Sequence, residues 1–256
     1  MVKKNKRSST IDISSVPGKI VSVNSIRKPL RIAIYSKPKV GKTTFCATAP
    51  KVLIVDCNEE GTLSIRDSGV DATYIKEFEE INLIYWFLAR GKHKYETVAI
   101  DTISSLQTMG LDYVMGEAAS LDLSKDPKMP DRRDYGKLSV IMNDVIYNFR
   151  NLHMNVIFTA HERSSEEEEG EVQIYPDLTP RVRQTFTGAV DIIGRLYIKE
   201  LDKNGKRSRE RRMLVGSHDK FISGDRSGKL GYIFKNPTFP RIIGRINGGK
   251  ETDGQD

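Results

Sequence analysis

The sequence predicts an α/β fold in which a mostly parallel β-sheet is flanked by helices. Two observations predict it: short apolar runs typical of buried strands recur along the chain, and stretches of helical periodicity lie between them. The strand candidates are residues 30–35, 52–55, 98–100, 156–159 and 191–198, and the helix candidates are residues 42–49, 77–89 and 135–152.

The domain organisation follows from length and composition. The chain has 256 residues, of which 29% are charged and 38% hydrophobic, which is typical of a soluble globular protein with one large core. We predict a flexible basic arm over 1–28, one domain over 29–240 and a flexible tail over 241–256. The polar stretches 119–133 and 162–184 are interpreted as long loops.

Composition also excludes several classes of protein. No apolar run approaches the roughly 20 residues that cross a bilayer, so we expect no membrane association. The two cysteines, Cys46 and Cys57, have no metal-binding spacing, which argues against a disulfide scaffold and favours a cytoplasmic protein, in a host cell if the chain is phage-encoded.

Positive charge is concentrated near the carboxyl end. The net charge is +7, and residues 195–250 carry 15 Lys/Arg against 5 Asp/Glu, a local excess of 10. This region suits either contact with nucleic acid or ordinary solubility.

A phosphate-binding loop follows the first strand candidate and opens a helix candidate, which is the setting that a P-loop requires. Backbone N–H groups there bind phosphates, Gly41 admits close approach of the backbone, and Lys42 supplies a positive charge. Thr43 is expected to bind Mg²⁺ and Thr44 the α-phosphate. The nucleotide-binding candidates are Ser36, Lys37, Pro38, Lys39, Val40, Gly41, Lys42, Thr43 and Thr44. Ser36 stands where the pattern usually has glycine.

A second acidic motif supports a nucleotide site. Asp101 ends the apolar run at 98–100, the arrangement of a Walker B strand, and would hold Mg²⁺ directly or through water. The two motifs together predict ATP and Mg²⁺ as cofactors.

Hydrolysis of ATP also needs a group that orients water. Glu60 and Glu59 follow the second strand candidate and would lie at the carboxyl edge of the sheet, and we favour Glu60 as the base while Glu59 stays open. His161 follows the strand candidate at 156–159 and would contact the γ-phosphate as a sensor.

Several ordered motifs resemble a known family. The chain from about Leu30 to Lys235 is similar to phage-type RecA-like ATPases of the AAA nucleotide-binding group, several of which serve in single-strand annealing or recombination. The motifs that carry the resemblance are Gly41-Lys42-Thr43-Thr44-Phe45, Glu60-Gly61-Thr62, Ile100-Asp101-Thr102, Asp134-Tyr135-Gly136, Thr159-Ala160-His161-Glu162, Pro176-Asp177-Leu178 and Val190-Asp191-Ile192-Ile193-Gly194.

The resemblance implies a RecA-like core, a catalytic glutamate after the second strand, and ATP sites at the subunit interfaces of a homo-oligomeric ring or filament. In this family such sites are completed by Lys and Arg from the neighbour. Arg226 matches the arginine and is the arginine-finger candidate, whereas Gly224 stands where lysine is expected.

The resemblance also implies a loop for single-stranded DNA at 162–184, in which arginines would pair with phosphates and aromatic rings would stack on bases. The arginine candidates are Arg163, Arg181 and Arg183, and the aromatic candidates are Tyr175 and Phe186. The basic stretch 203–212 predicts a β-hairpin extension with an Asn-Gly turn, and its tip is either solvated or a second phosphate contact.

The leading function is therefore an ATP-dependent, oligomeric, single-stranded-DNA-binding protein of phage recombination, annealing or replication, with phage or host replication and recombination proteins as partners. Two alternatives stay open. One is an ATPase that remodels or loads a protein partner such as a replicative helicase, and the other is a nucleotide-gated DNA-binding module that barely hydrolyses ATP.

Overall fold

The computed structural model describes residues 28–122, 124–126, 128–166, 172–203 and 206–248. In this part of the chain ten strands form one sheet. The strands are β1 (Arg31–Ser36), β2 (Val52–Asp56), β3 (Asp71–Tyr74), β4 (Thr97–Asp101), β5 (Asn155–Glu166), β6 (Val172–Pro176), β7 (Ile192–Lys203), β8 (Lys206–Leu214), β9 (Gly224–Asp225) and β10 (Ile233–Lys235).

The helices lie mostly between consecutive strands, as expected for crossovers in a parallel sheet. They are α1 (Lys42–Cys46), α2 (Glu80–Arg90), α3 (Ile103–Leu121), α4 (Arg132–Arg150), α5 (Pro180–Ala189) and α6 (Phe239–Ile246), with a 3-10 segment at Gly61–Ser68.

The strand order is β10-β8-β7-β1-β5-β4-β2-β3, with β6 paired to β5 and β9 to β7. From β7 to β3 every neighbouring pair is parallel, and β8 and β10 extend the sheet antiparallel. This confirms the predicted α/β architecture, a mostly parallel sheet flanked by helices with a β-hairpin extension, although the Asn204-Gly205 turn lies outside the described residues.

The parallel strands are apolar because both faces of the sheet are covered. In β1 the side chains of Ala33 and Tyr35 pack into the core under α2 to α5, whereas Ile32 and Ile34 pack into the core under α1 and α6. All four are buried. The alternation of β1 between two cores explains why a continuous apolar run, without polar positions, forms a strand.

The register brings the functional candidates to one edge. Ser36 at the end of β1 pairs with His161 of β5, and Asp56 at the end of β2 pairs with Asp101 at the end of β4. The carboxyl ends of adjacent parallel strands therefore meet beside the loop that follows β1, where open α/β sheets bind their ligands.

Two predictions about loops and boundaries are wrong. Residues 162–184 are not a long loop: β5 continues to Glu166, pairs antiparallel with β6, and is followed by α5. The tail does not begin at residue 241, because α6 spans that position and buries Phe239 and Ile242.

The remaining boundaries stay predictions: residues 1–27 and 249–256 lie outside the described residues. The predicted loop at 119–133 is shorter, since α3 runs to Leu121 and α4 begins at Arg132. Among the described residues, no helix combines the length and the apolar character needed to cross a membrane.

Candidate nucleotide site

The loop after β1 passes through two left-handed residues before α1 begins. Ser36 is the last residue of β1 and is buried, and its hydroxyl donates to the carbonyl of Lys37 at 2.8 Å. The left-handed positions fall later, at Lys39 (φ 65°) and Gly41 (φ 105°). Because Ser36 keeps strand geometry, its Cβ introduces no strain, and the departure from the usual glycine is tolerated.

This loop forms one wall of a cleft of about 560 Å³. Six predicted nucleotide-binding residues line it: Pro38, Lys39, Gly41, Lys42, Thr43 and Thr44. Ser36, Lys37 and Val40 belong to the same turn and are not among the cleft-lining residues that the structure describes. The opposite wall contains Glu59, Glu60, Gly61, Leu63, Ser64, Asp101 and His161, and Arg211 also lines the cleft.

The two predicted metal-binding residues meet in this cleft. The Thr43 hydroxyl donates to Asp101 Oδ2 at 2.6 Å, and the Thr159 hydroxyl of β5 donates to Asp101 Oδ1. Asp101 is almost fully buried. The two threonines therefore fix the orientation of its carboxylate.

This donor set fits Mg²⁺. The ion prefers oxygen ligands and usually keeps waters, taking one or two protein oxygens together with substrate phosphates. Thr43 Oγ1 and Asp101 Oδ2 are such oxygens, held side by side on α1 and β4. They would hold the ion directly or through water.

Lys42 lies at the start of α1 and is also buried. Burial lowers the pKa of its ammonium group, and the negative charges of Asp101 and Glu59 oppose that shift. Lys42 thus brings a positive charge to the cleft beside two carboxylates, and this charge is the group that would attract a phosphate there.

The structure distinguishes the two adjacent glutamates. Glu59 Oε1 accepts hydrogen bonds from His161 Nε2 at 2.8 Å, from the Thr102 hydroxyl at 3.1 Å and from the Ser105 hydroxyl. Glu60 is exposed at the cleft rim, and its backbone lies in the left-handed region (φ 51°). Glu59 is therefore the better-positioned carboxylate.

The hydrogen bonds to Glu59 also set its charge. They lower the pKa of Glu59 from 4.5 to about 2, with the bond from His161 as the largest cause. The turn that presents Glu59 is held by Asp56 Oδ1, which accepts from the backbone N–H of Glu59 at 2.7 Å and of Glu60 at 3.3 Å.

His161 lies in the cleft, but not at a strand end. β5 runs on to Glu166, and the backbone N–H of His161 donates to the Ser104 hydroxyl at 3.0 Å. Its ring contacts Glu59. The residue is thus held by α3 on one side and by the carboxylate on the other.

Several functional residues were missed by sequence reasoning. Asp56, Thr102, Ser105 and Thr159 orient Glu59 or Asp101, as described above. The Thr102 side chain also caps α3 by accepting from the backbone N–H of Ser105 at 3.2 Å. A Thr directly before an apolar helical segment is a helix-start signal, so the capping role of Thr102 could have been found from the sequence.

Arg211 was also missed as an individual residue. It belongs to the basic stretch 203–212, and its Nε donates to the carbonyl of Val40 at 3.0 Å. Other basic residues of the hairpin have acidic partners: Arg209 pairs with Glu200 at 3.4 Å, and Arg212 pairs with Glu210.

Arg226 lies outside its own chain's cleft. It follows β9, its Nη2 donates to the carbonyl of Gly188 at 2.8 Å, and its Nη1 lies 3.8 Å from Asp191 Oδ1. β9 pairs with the beginning of β7, at the amino edge of the sheet. The P-loop lies at the carboxyl edge, about 15 Å away along the strand.

The proposed base-stacking residues are wrong. Tyr175 is 9% exposed and Phe186 is fully buried, where it packs edge-on against Phe158. Arg183 lies 3.7 Å above the Tyr175 ring, and Arg163 pairs with Asp177 at 3.3 Å. Neither ring has a face that is free for a base, whereas Arg181 is exposed.

The chain belongs to the AAA domain family, whose model matches residues 28–227. That match includes the P-loop, Asp101, both glutamates, His161 and Arg211, so the site described above lies wholly within an AAA-type P-loop domain. No curated protein sequence matches the chain.

Two solved archaeal structures resemble the chain. One is the flagellar accessory protein FlaH from Methanocaldococcus jannaschii, with 11% identity over 82% of this chain and 92% of that chain, at a TM-score of 0.39. The other is a KaiC-like protein from Pyrococcus horikoshii, with 11% identity over 81% of this chain and 90% of that chain, at a TM-score of 0.41.

Proposed function

We propose that this chain binds ATP together with Mg²⁺ in the cleft after β1 and hydrolyses its terminal phosphate. One observation carries the proposal: Thr43 and Asp101, from the two separate motifs, meet at 2.6 Å beside the buried Lys42. A hydroxyl, a carboxylate and an ammonium group at the mouth of a glycine turn form a binding site for a metal–phosphate complex.

Each residue then has a distinct task. The P-loop amides and Lys42 bind the β- and γ-phosphates, while Thr43 and Asp101 hold the ion. When bound, Mg²⁺ would neutralise phosphate charge as it develops during transfer. The Thr159 hydroxyl keeps Asp101 facing Thr43.

Glu59 is the residue that we propose orients the attacking water. The described hydrogen bonds to its carboxylate all reach Oε1, which leaves Oε2 available within the part of the chain that the structure describes. A carboxylate with a lowered pKa is a weak base, so positioning of the water is its main contribution. His161 then reports on the site through its bond to Glu59.

We further propose an oligomer that binds single-stranded DNA in recombination, annealing or replication of phage DNA. Two features support this proposal. Arg226 is half-exposed and at the far edge of the sheet from its own cleft, so a neighbour's cleft is the one it can serve. Residues 195–250 carry the local excess of 10 positive charges that suits phosphates.

One observation favours a protein partner instead. Large apolar side chains are exposed on α2, where Leu83 is 70%, Trp86 47% and Phe87 43% accessible to solvent. Exposed apolar patches of this kind typically mark contacts with other proteins. An ATPase that remodels or loads a protein partner would use the same nucleotide site and this face of α2.

The test is nucleotide binding and ATP hydrolysis by the purified chain with Mg²⁺, with and without single-stranded DNA at two salt concentrations. Lys42→Ala should lose both binding and hydrolysis, because it removes the buried positive charge of the site. Lys51→Ala is the matched control, since Lys51 is exposed and paired with Glu96 at 2.6 Å. It should behave as wild type.

The outcomes separate the candidates. Unchanged ATP affinity in Lys42→Ala would contradict the nucleotide site. Hydrolysis stimulated by DNA, with a stimulation that fades as salt rises, would support the DNA-coupled function. Hydrolysis indifferent to DNA but raised by a protein bound to α2 would favour the remodelling ATPase.

A further inference from the structure

One positively charged side chain of the β7–β8 hairpin, that of Arg211, lies in the chain's own nucleotide cleft. Arg211 lies in β8 opposite Ile198 of β7, and its carbonyl accepts a hydrogen bond from the backbone N–H of Asn236 at 2.7 Å. It is half-buried and lines the cleft together with Gly41 to Thr44. Its backbone is therefore held rigidly within the sheet while its side chain reaches a different part of the chain.

The guanidinium of Arg211 packs directly on the phosphate-binding turn. Its Nε donates to the Val40 carbonyl at 3.0 Å. A Cβ placed on Gly41 would come within 2.4 Å of Nη2 and 2.6 Å of Cζ. The guanidinium of Arg211 therefore lies in direct contact with Gly41, whose backbone angle, φ 105°, is the feature that favours glycine there.

Arg211 and the carboxylates lie on opposite sides of this turn. In the sheet, β8 and β7 lie on one side of β1, whereas β5, β4 and β2 lie on the other. Asp101 and Glu59 come from the second side, so the metal ion and terminal phosphate belong there. The α- and β-phosphates of a nucleotide would then lie on the other side of the turn, next to Arg211.

We propose that Arg211 binds the diphosphate portion of the nucleotide in its own chain's cleft, as a cation additional to Lys42. This inference rests on the proposed function. Arginine suits the task because its planar fork can donate from Nε to a backbone carbonyl and from its Nη atoms to a phosphate at once. The hairpin thereby becomes part of the nucleotide site.

The experiment measures the affinity of the full chain for ADP, ATP and GTP, with Mg²⁺, for wild type and for variants of Arg211. Arg211→Ala should weaken ADP and ATP binding by a similar factor of about 10 to 100, as expected for a lost charge-assisted hydrogen bond. Arg209→Ala is the matched control: the same change on the same strand, at an exposed residue paired with Glu200. It should leave all three affinities unchanged.

Two conservative variants separate phosphate binding from mere support of the turn. Arg211→Lys keeps the charge, whereas Arg211→Gln keeps a donor for the Val40 carbonyl without the charge. If Arg211 contacts phosphate, Arg211→Lys should retain more nucleotide affinity than Arg211→Gln. Equal affinities, or a better Gln variant, would overturn the proposal.

The remaining outcomes also discriminate. A change in the ratio of ATP to GTP affinity in Arg211→Ala would overturn the assignment, because it would indicate contact with the base. Wild-type affinity in Arg211→Ala would overturn this inference alone and leave the proposed function intact. Failure of the wild-type chain to bind any nucleotide would overturn both.

Discussion

At the scale of single residues, Glu59 and Glu60 are chemically identical neighbours that the fold separates. Glu59 is tied to His161, Thr102 and Ser105, whereas Glu60 lies exposed at the rim. We expect Glu59→Gln to lower the rate of ATP hydrolysis by about 100-fold or more, because the water-orienting carboxylate is lost. Nucleotide affinity should change little, since Lys42 and Thr43 remain.

Glu60→Gln, the same change one residue on, is the control for this prediction. It should keep most of the hydrolysis measured for wild type. If Glu59→Gln instead kept the wild-type rate of ATP hydrolysis while Glu60→Gln lost it, Glu60 would be identified as the base. Sequence alone could not decide between them, because both follow β2 and only the turn made by Asp56 determines which one faces His161.

The lowered pKa of Glu59 adds a dependence on pH. Since folding lowers this pKa from 4.5 to about 2, the ionised carboxylate stabilises the folded state fully above pH 4.5, and the contribution is lost as pH falls towards 2. The difference in unfolding free energy between wild type and Glu59→Gln should therefore shrink over that interval in acid denaturation. If this difference in unfolding free energy did not change with pH, the result would contradict an ionised, hydrogen-bonded Glu59 carboxylate in the folded state.

At the scale of elements, α6 belongs to the folded core. Ile242 is fully buried among the side chains that cover β1 from the α1 side. We expect Ile242→Ala to lower the free energy of unfolding by about 2 to 5 kcal/mol, the usual effect of an aliphatic cavity. Ile233→Ala in β10 is the matched control, because Ile233 is 37% exposed and should cost about 1 kcal/mol or less. Denaturant unfolding measures the loss of unfolding free energy in both variants. Equal losses would contradict the packing of α6 against the core.

The elements that the sequence predicts correctly are those with a single dominant signal. β1, β2 and β4 are short apolar runs buried on both faces, and the P-loop has its own spacing. The hairpin of β5 and β6 was missed because half-buried strands such as Val172–Pro176 mix polar and apolar residues. α6 was missed although its apolar residues have the i, i+3, i+4, i+7 spacing of a helix, so the sequence did contain a signal for it.

The site was predictable to the same extent. Lys42, Thr43 and Asp101 stand in recognisable motifs, and they meet as expected. Arg211 could not be predicted individually, since nothing in a stretch rich in Lys and Arg marks the one side chain that faces the P-loop. That choice depends on the register of β7 and β8, which places Arg211 opposite Ile198.

At the scale of the whole molecule, the position of Arg226 makes a prediction about assembly. It lies at the amino edge of the sheet while its own cleft opens at the carboxyl edge, so a role in hydrolysis requires a second copy of the chain. Arg226→Ala should bind nucleotide with wild-type affinity, because Lys42 and Arg211 are untouched. Its hydrolysis should nevertheless fall by about 10-fold or more, by analogy with arginine fingers in other nucleotide hydrolases.

Mixing two defective chains tests this arrangement directly. Lys42→Ala has no working cleft but can donate Arg226, whereas Arg226→Ala has a working cleft and lacks the arginine. If the arginine acts between copies, a mixture of the two should hydrolyse ATP faster than the sum of the separate proteins, because some clefts with Lys42 will meet a neighbour with Arg226. A mixture no faster than that sum, or full hydrolysis by Arg226→Ala alone, would restrict the catalytic residues to a single chain.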